Sequence, residues 1–371
     1  MGTSLAWSLL ARGHEVILIE PGRVASGTTS SSYAWLNSHK KHPETYHALN
    51  LAGLRHWACQ VAPQYPGAAE LNGHLEYALE DGHRADLKHR VERLRSLEYP
   101  TRWVTPEHAR SLTPAKVPEN ALIAFFPEEG HCYPEQLSHT KVAEMQQSPA
   151  FSFVRDPVRS IDSVQGRVEL RSGAHLSGDI VVLAAGNATT ELAATAGIDI
   201  PMIPAAVGGA AYGYLCCVRV ANHGIRMPLT TDVLSIRPWG NDRLLLQALD
   251  LDETADPSRP PVAKIVDEFL TRLRVVLPHT EAHLEEIRVG HRVIPQDGFT
   301  VAGPASDDPG NRLWIVVTHS GVVLGPWLAE GVAEEITTGE PNPLNENFRP
   351  TRFCAPRDTS EYTAPRRPGD Q

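Results

Sequence analysis

Three stretches of this 371-residue chain carry residue types whose spacing could do chemistry. The first begins at Gly2. Leu5, Leu9 and Ala6, Leu10 recur at helical spacing over residues 3–12, Gly13 follows as a left-handed C-cap, and Glu15-Val-Ile-Leu-Ile-Glu20 is an apolar strand run ending in a carboxylate. Helix, buried strand and terminal acid in that order are the later part of a dinucleotide-binding βαβ unit. There, a glycine lets helix and strand pack closely, and the acid accepts from ribose hydroxyls. Gly2 would be the third glycine of G-x-G-x-x-G, so the leading strand and the first two glycines are expected upstream of Met1.

The second stretch is Ser26-Gly27-Thr28-Thr29-Ser30-Ser31-Ser32-Tyr33-Ala34-Trp35-Leu36-Asn37. Small residues let backbone amides approach a pyrophosphate, and hydroxyls supply neutral donors. A solvated linker gains nothing from the apolar pair Trp35 and Leu36. The third is Trp314-Ile-Val-Val-Thr318-His319-Ser320-Gly321-Val322-Val323-Leu324-Gly325-Pro326, a strand turning through glycine into an apolar helix. The first amides of such a helix suit an anion or a carbonyl gaining negative charge. Just upstream, Gly290-His291-Arg292-Val293-Ile294-Pro295-Gln296-Asp297-Gly298-Phe299 puts an arginine on a strand before a turn.

The elements that must position these groups follow from periodicity. Helical patterns occupy residues 45–61, 85–97, 134–146, 188–196 and 262–277; residues 179–185 and 313–317 read as parallel-type strands. Residues 211–220, 233–237, 243–247 and 286–294 read as antiparallel strands. The reading is therefore an α/β nucleotide-binding domain interrupted by a second domain built on an antiparallel sheet. Three other signals are set aside. His279 and His283 flank Glu281 without the H-E-x-x-H order, so no metal site is expected. His39-Lys40-Lys41-His42 reads as a solvated loop, and Arg84, Lys88, Arg90, Arg93 and Arg95, interleaved with Asp86 and Glu92, as an exposed helix face.

Lys and Arg total 34 against 44 Asp and Glu, a net charge of -10 that repels phosphate backbones and argues against a nucleic-acid partner. No apolar run approaches the roughly 20 residues of a membrane helix. Five cysteines without a C-x-x-C pair suggest neither a disulfide framework nor a zinc ribbon, and a reducing cytoplasm fits them. Ala6 where a myristoylation signal needs Ser or Thr, and no basic stretch before residues 5–11, argue against a lipid or secretory signal.

In the order and spacing of these segments, with Val181-Val-Leu-Ala-Ala-Gly186-Asn187-Ala188-Thr189 between them, the chain resembles the FAD-dependent D-amino-acid oxidase and glycine oxidase superfamily, sarcosine oxidase-like enzymes included. The resemblance runs from Gly2 to Phe353. It implies a discontinuous Rossmann-like FAD-binding domain (1–60, 135–200 and 299–353) and an antiparallel-sheet substrate domain (61–134 and 201–298); residues 354–371, rich in Pro, Arg, Asp and Thr, read as a disordered tail. By the same resemblance, Gly2 is the third glycine of the cofactor motif, Glu20 holds the adenosine ribose, and Thr28 and Thr29 contact the pyrophosphate region. Tyr33, Ala34 and Trp35 line the flavin, and Val158 meets adenine through its backbone. Gly186 turns beside the cofactor, and Ser320, Gly321, Val322 and Val323 face the flavin pyrimidine ring. Arg292 matches the arginine that grips a substrate carboxylate, although Val293 stands where the family often has proline; His319 is a weaker catalytic candidate.

No cysteine sits where covalent flavin attachment would need one, which implies noncovalent FAD. The implied reaction is oxidation of the amine of an amino acid or related amine, by hydride transfer to FAD, with oxygen or another electron acceptor. The alternatives are an FAD-holding subunit of a heteromeric amine dehydrogenase, which would need a partner subunit, and a fold remnant that no longer binds FAD. A homo-oligomer is left open.

Overall fold

The structure is a computed structural model and describes residues 1–354. The expected disordered tail lies, apart from Cys354, outside the described residues. The helix Gly2–Ala11 ends where Gly13, at φ +85°, reverses the chain, a conformation open to glycine at no steric cost. It feeds the strand Val16–Ile19, which pairs in parallel with Phe151–Val154, a strand the periodicity missed. Leu313–Val317 pairs in parallel with Val181–Leu183, as its unbroken apolar run predicts, and antiparallel with Val301–Pro304. These are two separate sheets. Val16–Ile19 and Val181–Leu183 are each at the edge of their sheet, and both line one large cavity. Gly2 sits near both: a Cβ there would stand 3.8 Å from Ala184 Cβ and 4.0 Å from Leu18 Cδ1.

The apolar helix Gly321–Thr338 packs against Gly2–Ala11 and Glu44–His56. Pro326 inside it has no N–H to give the Val322 carbonyl, and the Trp57 indole Nε1–H donates to that oxygen instead, at 3.0 Å. One turn away, Gly53 lets the two helices close up; a Cβ there would stand 2.8 Å from the Val323 carbonyl oxygen.

An eight-stranded sheet covers this assembly, in the order His283–His291, Tyr212–Arg219, Arg243–Gln247, Ser235–Pro238, Leu229–Thr230, His74–Ala78, Leu122–Phe126, Arg102–Trp103. Every pairing is antiparallel except Leu229–Thr230 with His74–Ala78. One face holds the main core, on which Ala263–Val276 lays Ile265, Phe269, Leu273 and Val276 at helical spacing. The opposite face, with Leu215, Cys217 and Leu245, meets Tyr33 and Trp35.

Two surface readings are corrected. His39 and Lys41 are 0% and 4% exposed, so the His39 to Lys41 run is no solvated loop, although His42 is exposed. Arg90 is buried in the helix Asp81–Ser96 beside Leu87 and Leu94, while Lys88 and Arg95 are exposed as expected. For His39 and Arg90 the cause is the same: carboxylates remote in sequence, Glu129 and Glu76, accompany them inward.

Candidate functional site

The cavity between the two parallel-paired sheets has a volume of about 1900 Å³, against the roughly 300–1,000 Å³ usual for a small-molecule site. Gly2, Glu20, Thr28, Thr29, Val158, Gly186, His319, Gly321 and Val322 all line it. Tyr33, Ala34, Trp35, Ser320 and Val323 are buried and do not form its wall. Arg292 does not line it either.

Local structure explains most of these placements. Glu20 ends its strand, and one of its carboxylate oxygens accepts the Gly22 N–H at 2.9 Å, which fixes the side chain at the cavity edge. The Thr28 hydroxyl donates to the His291 carbonyl at 2.7 Å, and Asn187 Nδ2 donates to the same oxygen at 3.0 Å. The hydroxyl-rich loop is thereby tied both to the edge strand of the large sheet and to the turn containing Gly186, whose φ is +57°. At the other end, the first intrahelical bond of Gly321–Thr338 is Leu324 N–H to Ser320 O. Gly321 and Val322, whose amides have no intrahelical acceptor at a helix start, precede it and line the wall. His319 is held neutral: burial, then the charges of Lys41 and Arg292, push its pKa down to about 3. It can exchange hydrogen bonds there but adds no charge.

A carboxylate able to accept ribose hydroxyl protons at one end, and helix-start amides able to stabilise an electron-rich ring oxygen at the other, form a donor and acceptor set that fits FAD. Residues 1–335 match the family model described as DAO, FAD dependent oxidoreductase. The chain belongs to this family. Among solved structures it is similar to glycine oxidase from Geobacillus kaustophilus, at 20% identity and TM-score 0.79 with 95% of each chain covered. It is similar too to L-proline dehydrogenase from P. horikoshii, at 18% identity and TM-score 0.78 over 95% of this chain and 94% of that one. Iminodiacetate oxidase from Chelativorans sp. BNC1 matches at 18% identity and TM-score 0.77, over 94% and 96%. No curated protein matches the chain by sequence.

The arginine that the family resemblance assigns to a substrate carboxylate is already engaged in this FAD-dependent oxidoreductase. One terminal nitrogen of Arg292 donates to Asp252; the other donates to the carbonyls of Ala210 at 3.0 Å and Tyr212 at 2.9 Å. Asp252 is buried and also accepts the Tyr214 N–H at 2.8 Å.

Sequence reasoning missed a buried polar cluster between the loop after Trp35–Leu36 and the large sheet. Glu129 accepts from His39 Nδ1 at 2.7 Å and from the Tyr99 hydroxyl at 2.6 Å. Despite complete burial its pKa falls to about 2, because His39 and His74 favour the carboxylate. Glu76 is gripped by both terminal nitrogens of Arg90, at 2.6 and 2.9 Å, and by His83 Nε2 at 2.8 Å. His83 also meets Asp232 at 3.0 Å, and against the cost of burial these two carboxylates raise its pKa to about 9. His39, His74 and Glu76 offer ligand atoms within 4.8 Å of one another. Arg90, His83 and Lys40 already surround Glu76, so positive charge is present where a divalent cation would have to sit. No single segment announces this cluster, since its acids and bases come from five separate stretches of chain.

Proposed function

We propose that this chain oxidises the amine of an amino acid or related amine to an imine, which water then converts to an oxo acid and ammonia or amine. When bound, FAD supplies the redox chemistry by accepting the hydride from the amine-bearing carbon. The observation that carries this reading is one continuous cavity, in a chain of this family, running from the Glu20 carboxylate to the start of the Gly321–Thr338 helix. Glu20 would hold the adenosine ribose beside Gly2 and Val158, and Thr28 and Thr29 the pyrophosphate region. The flavin would lie toward Tyr33, Ala34, Trp35, Gly186 and the residues from Ser320 to Val323. The helix-start amides would stabilise charge on the reduced ring, and neutral His319 would leave that stabilisation to them.

FAD would be held without a covalent link. Burial pushes the thiols of Cys216 and Cys217 up to about 12, which keeps them from attacking a flavin. The FAD-binding domain would comprise residues 1–60, 135–200 and 299–353, and the eight-stranded sheet would anchor the substrate domain. All five cysteines are free and, among the described residues, no helix is long and apolar enough to cross a membrane; we take the cytoplasm as the compartment on that support.

The test is anaerobic mixing of the FAD-loaded protein with a panel of amino acids and simple amines. Loss of the yellow flavin absorption with at least one of them is expected, and admission of air then separates peroxide formation from transfer to another acceptor. No bleaching by any amine would overturn the reading.

A further inference from the structure

Between Tyr33 and Lys41, buried side chains hold polar atoms with no hydrogen-bond partner among the described residues. The Tyr33 hydroxyl, the Trp35 indole Nε1 and both amide atoms of Asn37 make no hydrogen bond. Ala34, at φ +54°, separates Tyr33 from the short strand Trp35–Leu36, and Asn37 follows that strand directly. Lys41, 4% exposed, follows in the same loop, its backbone N–H bonded to the Ser38 carbonyl. Its ammonium has no hydrogen bond or ion pair to any described residue. Glu129 lies near enough to act on its charge, but that carboxylate is already bonded to His39 and Tyr99. Lys40 beside it only repels, and His319 on the cavity wall feels its field. Folded chains rarely bury an unpaired ammonium or an amide with neither atom bonded, because each loses its water and gains nothing in return. A ligand that supplies both a negative charge and hydrogen-bonding groups removes that penalty.

Resting on the proposed amine oxidation, we propose that Lys41 is the anchor for the carboxylate of an amino-acid substrate and that Asn37 hydrogen-bonds the same ligand. Arg292 is a structural ion pair in this arrangement: its charge is balanced by Asp252 and two of its remaining N–H groups are taken by carbonyls. The ammonium is a point charge on a flexible stem, so it holds a carboxylate without the fixed fork of a guanidinium and tolerates variation in how the substrate sits. Burial and Lys40 draw the Lys41 pKa down to about 8 while Glu129 partly restores it. The anchoring charge is therefore present below about pH 8 and fades above it. His319 stays neutral across this range and adds no competing titration.

The experiment compares FAD-loaded wild type with Lys41→Met, Lys41→Arg, Asn37→Ala and Arg292→Met. Dissociation constants for propionate, which cannot be oxidised, are measured by calorimetry, and KM and kcat for an amino acid and for a simple amine without a carboxylate. Lys41→Met should weaken propionate binding and raise KM for the amino acid at least tenfold, leave KM for the simple amine within twofold, and keep or raise Tm because a buried charge is gone. Lys41→Arg should recover part of the affinity. Wild-type propionate affinity should fall as pH rises through about 8, and that fall should vanish in Lys41→Met. Asn37→Ala should weaken propionate less than Lys41→Met does. Arg292→Met should lower Tm with propionate affinity retained. Unchanged propionate affinity in Lys41→Met, or its loss in Arg292→Met alone, would overturn the assignment. If wild-type flavin is bleached by amino acids while Lys41→Met binds propionate normally, the anchor is wrong and the oxidation stands; if no amine bleaches the wild type, the oxidation itself is wrong.

Discussion

With FAD placed as proposed, Glu20 is where a single side chain most directly separates cofactor retention from folding. It sits at the end of a four-residue strand, its one internal bond is to the Gly22 N–H, and its other oxygen accepts no hydrogen bond from any described residue. Two ribose hydroxyls are the natural donors to such a carboxylate. Replacing it with alanine removes that acceptor and one exposed-side turn contact, worth about 1 kcal/mol in stability. Glu20→Ala should thus lose FAD on dialysis at least tenfold faster than wild type while Tm, read on the apoprotein, moves by only a few degrees. Equal flavin content in the two proteins after dialysis would show that the ribose is held elsewhere. His319 stands in contrast to it. A group whose pKa is driven down to about 3 cannot supply charge to the reaction, so its contribution is limited to hydrogen bonding.

Between elements, the tightest constraint is the crossing of Glu44–His56 and Gly321–Thr338. A Cβ on Gly53 would lie 2.8 Å from a backbone oxygen and 3.1 Å from Leu324 Cδ2, and a backbone atom cannot swing aside as a flexible side chain can. Gly53→Ala should cost about 1 to 3 kcal/mol despite alanine's better helix propensity. Because the helix pushed away begins at Gly321, the substituted protein should also hold FAD less tightly; an unchanged Tm would mean that the crossing is slack. What was legible in the sequence at this scale was whatever carries its own period. Leu313–Val317 and Arg243–Gln247 match their expected bounds, and the five long helical patterns fall within a few residues of theirs, although Trp57–Val61 is wound as a π-helix. His74–Ala78 was not legible. Its sequence, His-Leu-Glu-Tyr-Ala, reads as polar, yet all five residues are buried because Arg90 and His83 reach Glu76 from a helix and Glu129 reaches His74 from a turn. A distant partner, Glu129, likewise hid the burial of His39. Asp252 hid the engagement of Arg292 in the same way.

Across the whole molecule, these buried acids and bases join the loop following Trp35–Leu36 to the large sheet, and they make stability depend on pH from both sides. His83 has a folded pKa of about 9 against 6.5 unfolded, so its contribution is complete below 6.5 and is lost as pH rises through 9. That shift corresponds to about 3 kcal/mol. His319 and His74 are held below 6.5 by burial, so the folded state resists their protonation and loses stability as pH falls beneath 6.5. Glu129 adds a further loss from about 4.5 down to its folded value of about 2, and Glu76 acts in the same direction. Lys41 opposes His83 at the alkaline end, since a folded pKa of about 8 favours folding as pH climbs from there toward 10.5. The acid-side loss is the steeper one, because other buried histidines such as His47 and His131 are lowered too, and the alkaline decline set by His83 lies between 6.5 and 9. His83→Gln keeps a neutral hydrogen-bonding side chain but removes the titration, so it should lower Tm at pH 6.5 and flatten the decline between 6.5 and 8. Thermal melts of both proteins across pH 4 to 9 measure this directly. An alkaline slope that survives the substitution would mean that His83 is not charged between Glu76 and Asp232, and that the loop is held to the sheet by Arg90 and the Glu129 bonds alone.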